Sequence, residues 1–453
     1  MMNDDPTVLL TAQGRELLAR LAAEPDSGGL ALAVRLRREY PADLVATATA
    51  QHELRLAARA KFSRAADMLF TRSGYEQSSS EPIARYRADR FGDARRVADL
   101  CCGIGGDLLA LAPGRAALAV DRDEVHARLA LHNAAVYGET NNVRALVADV
   151  RDLSLAGLDA VFIDPARRSG PGTASAGSGP AARSDAASAR ADAASARAGT
   201  ASAGRGGGPA GAAQRFRAGL SEPPLDWCFA LADRVPAVCV KAAPGLPLDL
   251  LPEGWEAEFI ADGRDLKEAV LWSPALATAP PAGSDGPRRA TVMSGTEPRT
   301  MLAYPGDPVP VTEPGEYLLD PNPAVTRAGL VEDLARALAA GGGPDDVAAK
   351  IDPRIAFLTL NWPAQTPFAR TLRVLDSAPW NEKRFAKRLR ELGIGAADIR
   401  RRGLAGDVDQ IHRRLKLAGP NRGTIVITRV NDRPWGLICT DPVDAADSNV
   451  PGA

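Results

Sequence analysis

Four aspartates stand where short apolar runs end: Asp99, Asp121, Asp149 and Asp164. A carboxylate at the C-terminal end of a parallel strand faces whatever ligand the sheet's crevice holds. The first lies in Val97-Ala-Asp-Leu-Cys-Cys-Gly-Ile-Gly-Gly-Asp107, where a strand-like run breaks into glycines before a helical stretch from about Leu108. Gly103 and Gly105 let the backbone turn tightly and approach a ligand without a Cβ in the way. Cys101 belongs to the same turn, and Asp107 either caps the next helix or touches the ligand. Asp99 is placed to accept from an ammonium group. Asp121 is placed to accept both hydroxyls of a ribose. Asp149, in Ala148-Asp-Val-Arg-Asp-Leu153, is placed for an adenine amine.

These acids discriminate among nucleotide-like cofactors. A dinucleotide-binding turn reads Gly-x-Gly-x-x-Gly and offers a helix N-terminus to a pyrophosphate. Here Asp99 and Cys101 occupy the places where such a turn begins. S-adenosylmethionine carries a sulfonium and an amino-acid head, which acidic strand ends suit better. A dinucleotide is the competing reading.

The elements that must position these groups follow from periodicity. Residues 1–90 read mainly as helices, with Leu17, Leu18 and Leu21 at helical spacing, and Leu54, Leu56 and Ala57 further on. Residues 91–275 alternate helical stretches with β-branched runs at 95–100, 116–121, 143–149, 158–164, 237–243, 255–261 and 269–272. Such alternation implies a mostly parallel sheet covered on both faces. Residues 169–213 interrupt it with Gly, Ala, Ser, Pro and Arg, including Asp-Ala-Ala-Ser-Ala-Arg-Ala at both 185–191 and 192–198. That composition offers little apolar surface against ordering entropy, so the insert is expected to be disordered. Residues 276–350 are expected as a linker with a helical connector. Residues 351–445 are expected as a small mixed domain closing with strands at 423–430 and 435–440 around Asn431-Asp-Arg-Pro434. The segment from Phe70 to Gln77 is a candidate cover for the cofactor, which periodicity alone does not show.

In this order of motifs, residues 91–275 resemble class I methyltransferases, apart from the insert. The Cys-Gly-Ile-Gly-Gly turn resembles that of RNA guanine-N2 cap methyltransferases. The tail carries Ile399-Arg-Arg-Arg-Gly-Leu, Arg413-Arg-Leu-Lys-Leu, Gly419 and Thr424-Ile-Val-Ile-Thr-Arg-Val430. With it, the whole chain is similar to a bacterial methyltransferase group that ends in a THUMP-like domain. The resemblance implies an α/β fold: a Rossmann-like, seven-stranded class I methyltransferase sheet, an N-terminal helical region and a small C-terminal α+β THUMP-like domain. It implies S-adenosyl-L-methionine as cofactor, cofactor roles for Asp99, Gly103, Gly105, Asp121 and Asp149, and chemistry beside Asp164.

Amine methyltransferases of this fold often carry Asp/Asn-Pro-Pro-aromatic at the reacting end. This chain keeps Asp164-Pro165 but places Ala166 and Arg167 next. Arg167 can stack on a base through its guanidinium plane or bind a phosphate. Lys241 ends the fifth strand-like run and Glu268 opens the seventh, so Asp164, Lys241 and Glu268 are expected to face one crevice. Their order resembles the Lys-Asp-Lys-Glu set of ribose 2′-O-methyltransferases, where a carboxylate-held lysine helps deprotonate a hydroxyl. Lys61 is too remote in sequence to assign as the first lysine. Lys241 and Glu268 can instead form a supporting ion pair. Base nitrogen and ribose hydroxyl both stay open as acceptors.

The formal net charge is -1, so the overall charge does not mark the chain as an obvious polyanion binder. The charge is unevenly spread: residues 370–433 hold sixteen Lys or Arg against seven Asp or Glu. Clusters at Lys383-Arg384, Lys387-Arg388, Arg400-Arg-Arg402 and Arg413-Arg-Leu-Lys416 imply a phosphate-binding surface. With the THUMP-like resemblance, tRNA or rRNA is the expected partner. The alternatives are a solvated helix face in an enzyme acting on a small molecule or protein, and a non-catalytic RNA-binding protein that retains a cofactor fold. Five cysteines form no disulfide framework and read as reduced thiols. None is placed as an attacking thiolate, which disfavours carbon-5 pyrimidine methylation. Four scattered histidines lack ligand spacing, so no metal is expected. No apolar run reaches about 18 residues and no signal-peptide pattern opens the chain, so no membrane partner and a cytoplasmic location are expected.

Overall fold

The computed structural model describes residues 5–23, 30–167, 221–279, 282, 286–343, 346–404 and 407–442. The insert at 169–213 lies outside the described residues. The chain forms two compact units. The first takes residues up to 167 with 221–242 and 270–277; the second takes 243–269 and the rest from 278 onward.

The first unit opens with helices α1 (Ala12–Ala23), α2 (Leu30–Leu36), α3 (Ala42–Ala58), α4 (Arg72–Gln77) and α5 (Glu81–Asp89). Leu17, Leu18 and Leu21 are buried, as their spacing predicts. In α3, Leu54 is buried but Leu56 is 43% exposed. Two residues along a helix rotate a side chain by about 200°, so these two leucines cannot share a face.

The sheet of this unit is built from β1 (Arg96–Leu100), β2 (Ala116–Asp121), β3 (Val143–Val147) and β4 (Ala160–Ile163). A two-residue antiparallel pair follows, β5 (Ala166–Arg167) with β6 (Ser221–Glu222), and then β7 (Ala237–Ala242). The longer five run parallel in the order β3-β2-β1-β4-β7. Strands buried on both faces read as continuous apolar runs, and all four residues of β4 are buried. Helices α6 (Leu108–Leu111), α7 (Glu124–Val136) and α8 (Leu225–Phe229) alternate with the strands. Strand order reverses between β1 and β4, and open α/β sheets bind ligands at such a switch point, beyond the carboxyl ends of the strands.

In the second unit, β8 (Glu256–Asp262) is followed by β9 (Asp265–Trp272), whose residues from Val270 belong to the first unit. Strand β10 (Arg288–Ser294) pairs parallel with β8 and antiparallel with β11 (Glu297–Leu302). A seven-stranded sheet comes next: β12 (Tyr317–Pro321), β13 (Ala348–Lys350), β14 (Leu358–Leu360), β15 (Ala369–Pro379), β16 (Ile394–Arg401), β17 (Asn421–Val430) and β18 (Arg433–Thr440). Its order is β13-β14-β12-β15-β18-β17-β16. Helices α9 (Pro323–Ala328), α10 (Val331–Ala340), α11 (Glu382–Glu391) and α12 (Val408–Leu415) complete the unit. Phe385 and Leu389, one turn apart on α11, bury into a cluster with Ile394, Leu415, Ile425 and Ile438.

Two expectations change. Residues 276–350 are not mainly linker, since β10 to β13 all fall there. Their buried cores are short, as in Ala290 with Val292 or Leu318 with Leu319, and the surrounding Pro and Gly disguise them. The final hairpin turns on two residues rather than four. Asn431 (φ 47) and Asp432 (φ 65) both take the left-handed conformation that a two-residue type I′ loop requires. Among the described residues, no helix is long and apolar enough to cross a membrane, and no group of three His, Cys, Asp or Glu is arranged to hold a metal ion.

Candidate active site

Parallel register brings the strand ends of the first unit to one edge. Leu100 aligns with Val120 and Ile163, Ile163 with Val240, and Asp121 with Val147. Asp99, Asp121, Asp149, Asp164 and Lys241 therefore project from five neighbouring strand ends. Asp99 and Asp164 flank the switch point, and the Asp164 N–H donates to the Leu100 carbonyl at 3.2 Å.

Asp99 is 1% exposed, and neither of its carboxylate oxygens has a hydrogen-bond partner among the described residues. Burial holds its carboxyl well above the usual range; Asp107, Asp164 and Asp121 push the same way, and Lys241 opposes them. A buried acid without donors is costly unless something cationic meets it.

The turn after Asp99 enters the left-handed region at Cys101 (φ 60), Gly103 (φ 52) and Gly105 (φ 83). A Cβ at Gly103 would meet nothing within 4 Å, so open space lies over it. A Cβ at Gly105 would sit 3.0 Å from the Ala130 Cα of α7, so close packing as well as φ demands glycine there. Burial pushes the Cys101 thiol up, so it stays protonated near neutrality and supplies no thiolate. Asp107 stands at the N-terminus of α6 but makes no capping bond. It is instead ion-paired with the buried Arg87 of α5, whose guanidinium also lies 5.3 Å from the Phe162 ring centroid.

Asp121 accepts from the Gly103 N–H at 2.9 Å and the Asp123 N–H at 3.0 Å. His126 of α7 places Nδ1 3.8 Å from Asp121 Oδ1. Burial raises the Asp121 pKa, but His126 and the two backbone N–H groups outweigh it and the net shift is downward. A carboxylate has about four lone-pair sites, so it retains acceptor capacity for a ribose. Asp149, placed by its strand end for an adenine amine, is also engaged locally. It caps the turn that follows, accepting from the Arg151 N–H at 3.0 Å and Arg151 Nε at 2.9 Å. The Arg151 side chain and backbone bonds hold its carboxyl down at about 2.

At the reacting end, Lys241 Nζ donates to Asp164 Oδ2 at 2.7 Å and to the Gln77 carbonyl at 3.3 Å. Asp164 Oδ1 has no partner among the described residues, and the following Pro165 is buried. Arg167 lies on β5, with its side chain outside what the structure describes. Glu268 is buried on the part of β9 that belongs to the second unit. Lys61 has a different task from a reacting lysine: its Nζ donates to the carbonyls of Tyr75 at 2.7 Å and Ser78 at 2.9 Å. Sequence reasoning missed Arg87, His126 and the Gln77 carbonyl. Their partners are remote in sequence, and no local spacing marks them.

Comparison with known proteins settles the family. Residues 94–174 match the model of the RNA cap guanine-N2 methyltransferases, residues 369–441 that of a THUMP domain-like family, and residues 4–58 that of a domain of unknown function. An uncharacterised S-adenosylmethionine-dependent methyltransferase of Mycobacterium tuberculosis strain H37Rv is 32% identical over 375 residues, covering 80% of this chain and 85% of the relative. This chain is an S-adenosylmethionine-dependent methyltransferase. The same values hold for the strain CDC 1551 / Oshkosh protein. The crystal structure of a candidate methyltransferase from Porphyromonas gingivalis W83 shares the fold over 98% of this chain and 99% of its own, with TM-score 0.65 at 18% identity.

The dinucleotide reading falls with this assignment. The residues of the methyltransferase fit S-adenosylmethionine chemically. Asp99 is a buried carboxylate lacking donors, the space over Gly103 admits a ligand against the backbone, and Asp121 can accept from paired hydroxyls.

Proposed function

We propose that this methyltransferase acts on RNA, at an exocyclic base amine held beside Asp164. The observation that carries the RNA reading is the exposed cationic surface of the THUMP-like segment. Lys383 and Arg390 on α11, Arg413 on α12, Lys416 and Arg422 are exposed and form no salt bridge among the described residues. The third arginine cluster does not contribute to that surface in full. Arg402 is tied to Asp320 at 3.0 Å and to the Ala356 carbonyl, and Arg401 to the Leu404 carbonyl. Phosphates supply most of the affinity wherever such cations face nucleic acid. The match of residues 94–174 to guanine-N2 methyltransferases supports the same acceptor class.

When bound, S-adenosylmethionine supplies an electrophilic methyl group on a sulfonium. The chain's own task is to orient the acceptor. Asp164 Oδ1 can take one N–H of an exocyclic amine and aim the nitrogen lone pair, while Lys241 holds Asp164 through Oδ2. Pro165 supports the loop without a backbone N–H to compete for the acceptor. A second reading, a ribose hydroxyl acceptor, is favoured by one observation: the Lys241 ammonium is clamped by a carboxylate and a carbonyl at the same place. In that case Lys241 must lose its proton before it can act as base.

Transfer of labelled methyl groups from cofactor to total RNA and to total protein separates substrate classes. Mass spectrometry of RNA nucleosides from a deletion strain against wild type then gives the atom. RNA labelling with a missing N-methylated base supports the proposal. A missing 2′-O-methyl nucleoside moves the acceptor to the hydroxyl, and labelling of protein alone overturns the RNA reading. Asp164→Ala is expected to bind cofactor and lose turnover. Full turnover by that variant removes Asp164 from the mechanism.

A further inference from the structure

Helix α4 is tied to both ends of the site. At its start, Thr71 caps the helix by accepting from the Gly74 N–H at 3.0 Å. The same hydroxyl lies 3.4 Å from Nε2 of His126, whose Nδ1 faces Asp121. At its end, the Gln77 carbonyl accepts from Lys241, the partner of Asp164. In between, Gly74 rests against the Ile104 side chain of the cofactor turn, so closely that a Cβ would overlap it. Lys61 fastens the far side through the Tyr75 and Ser78 carbonyls. One short helix thus reaches the carboxylate assigned to the cofactor's ribose through His126, and touches the lysine beside the acceptor through the Gln77 carbonyl.

The groups facing His126 are Asp121 and Asp123 from the end of β2 and the Thr71 hydroxyl from the N-terminal segment. The nearby Asp121 carboxylate raises its pKa against the opposing effect of burial. An imidazole with one nitrogen toward a carboxylate and the other toward a hydroxyl transmits orientation between them.

We propose that His126 is a positioning residue for methyl transfer: it couples the Asp121 carboxylate, through Thr71, to α4, so that cofactor binding fixes the helix that holds Lys241. The proposal rests on Asp121 as the ribose ligand. The Gly103 and Asp123 N–H groups already orient Asp121; ribose hydroxyls bound to its remaining lone pairs hold it further, and His126 passes that added hold to Thr71 and the first turn of α4. Ordering on binding is then read as slower opening of α4 rather than as a new contact to the ligand.

The test is amide hydrogen exchange at Gly74, Tyr75 and Ser78 in the full chain, with and without S-adenosylhomocysteine, beside calorimetric measurement of that ligand's affinity. Wild type is expected to gain about tenfold protection on binding. His126→Ala is expected to bind the ligand yet gain less than about twofold, because the link is cut. A residue that merely packs would loosen α4 equally in both states and leave the ratio intact, which overturns the proposal. Should His126→Ala not fold, Thr71→Val decides the matter on the ratio at Tyr75 and Ser78 alone, because it also removes the acceptor of the Gly74 N–H, and Thr71→Ser is expected to restore it. Unchanged ligand affinity in Asp121→Asn removes the ribose assignment. Absence of any binding to wild type overturns the cofactor site and this proposal with it. Binding with wild-type protection in both His126→Ala and Thr71→Val overturns the coupling alone.

Discussion

Asp99→Asn tests the chemistry of the cofactor site most directly. The carboxylate is buried without donors, so the unliganded protein carries a penalty that a cationic ligand relieves. Asparagine keeps the shape and removes the charge. A hydrogen bond to a charged group contributes about 1.5–3 kcal/mol, and each ~1.4 kcal/mol is a factor of ten. The dissociation constant for S-adenosylhomocysteine is therefore expected to rise roughly 10- to 150-fold. The unliganded protein moves the other way. Asp99 holds its proton above the unfolded value of about 3.9 because burial raises its folded pKa. The native state then binds a proton that the unfolded chain has lost, so stability falls as pH rises from that value through the folded one, and levels off beyond it. Asp99→Asn abolishes that fall. Between the unfolded and the folded pKa, ligand binding to wild type must also release the proton, which calorimetry in buffers of different ionisation enthalpy counts. An Asp99→Asn affinity within about twofold of wild type, or unchanged proton release, refutes the reasoning.

Three further outcomes are expected. Arg87→Met leaves Asp107 charged and buried without its partner; the loss should be about 3–5 kcal/mol by denaturant unfolding, and a loss below about 1 kcal/mol would mean that the pair is solvated in solution. Gly74→Ala sets helix propensity, which favours alanine by about 1 kcal/mol, against overlap with Ile104, which costs about 1–3 kcal/mol. Overlap should win, with protease cutting between 70 and 78 appearing in the variant, and equal resistance would reverse the ranking. If Lys383, Arg390, Arg413, Lys416 and Arg422 each meet a phosphate, log affinity for tRNA should fall with log salt at a slope of about -3.5 to -4.5, a loss of roughly 100- to 500-fold between about 50 and 200 mM. A flat salt response in filter binding rules out phosphate as the main attraction.

The strand-end acids were legible because everything that places them is local: a short apolar run ends, and at or beside its end stands an acid. Residues whose partners lie far along the chain were not. Asp107 looks like a helix cap until Arg87 is brought against it from α5. Asp149 is a local exception, since Arg151, only two residues on, folds back on a carboxylate that reads as placed for an adenine amine. His126 shows no spacing signal, since its partners Thr71 and Asp121 come from two other elements. Residues 276–350 read as linker because three- to seven-residue strands between prolines leave too short a pattern. The basic tail was legible as charge but not as surface, because Arg401 and Arg402 turn their guanidinium groups onto backbone carbonyls.

The place of β15 in its sheet sets how the chain can be dissected. Strand β15 (Ala369–Pro379) runs between β12 and β18, and β12 pairs in turn with β14. A fragment cut at the family match of residues 369–441 would discard β12, β13 and β14. An interior strand would become a raw edge, with Leu372 and its backbone donors open to the next molecule. Such a piece should aggregate whatever its affinity for RNA. A separable C-terminal module has to begin before Tyr317.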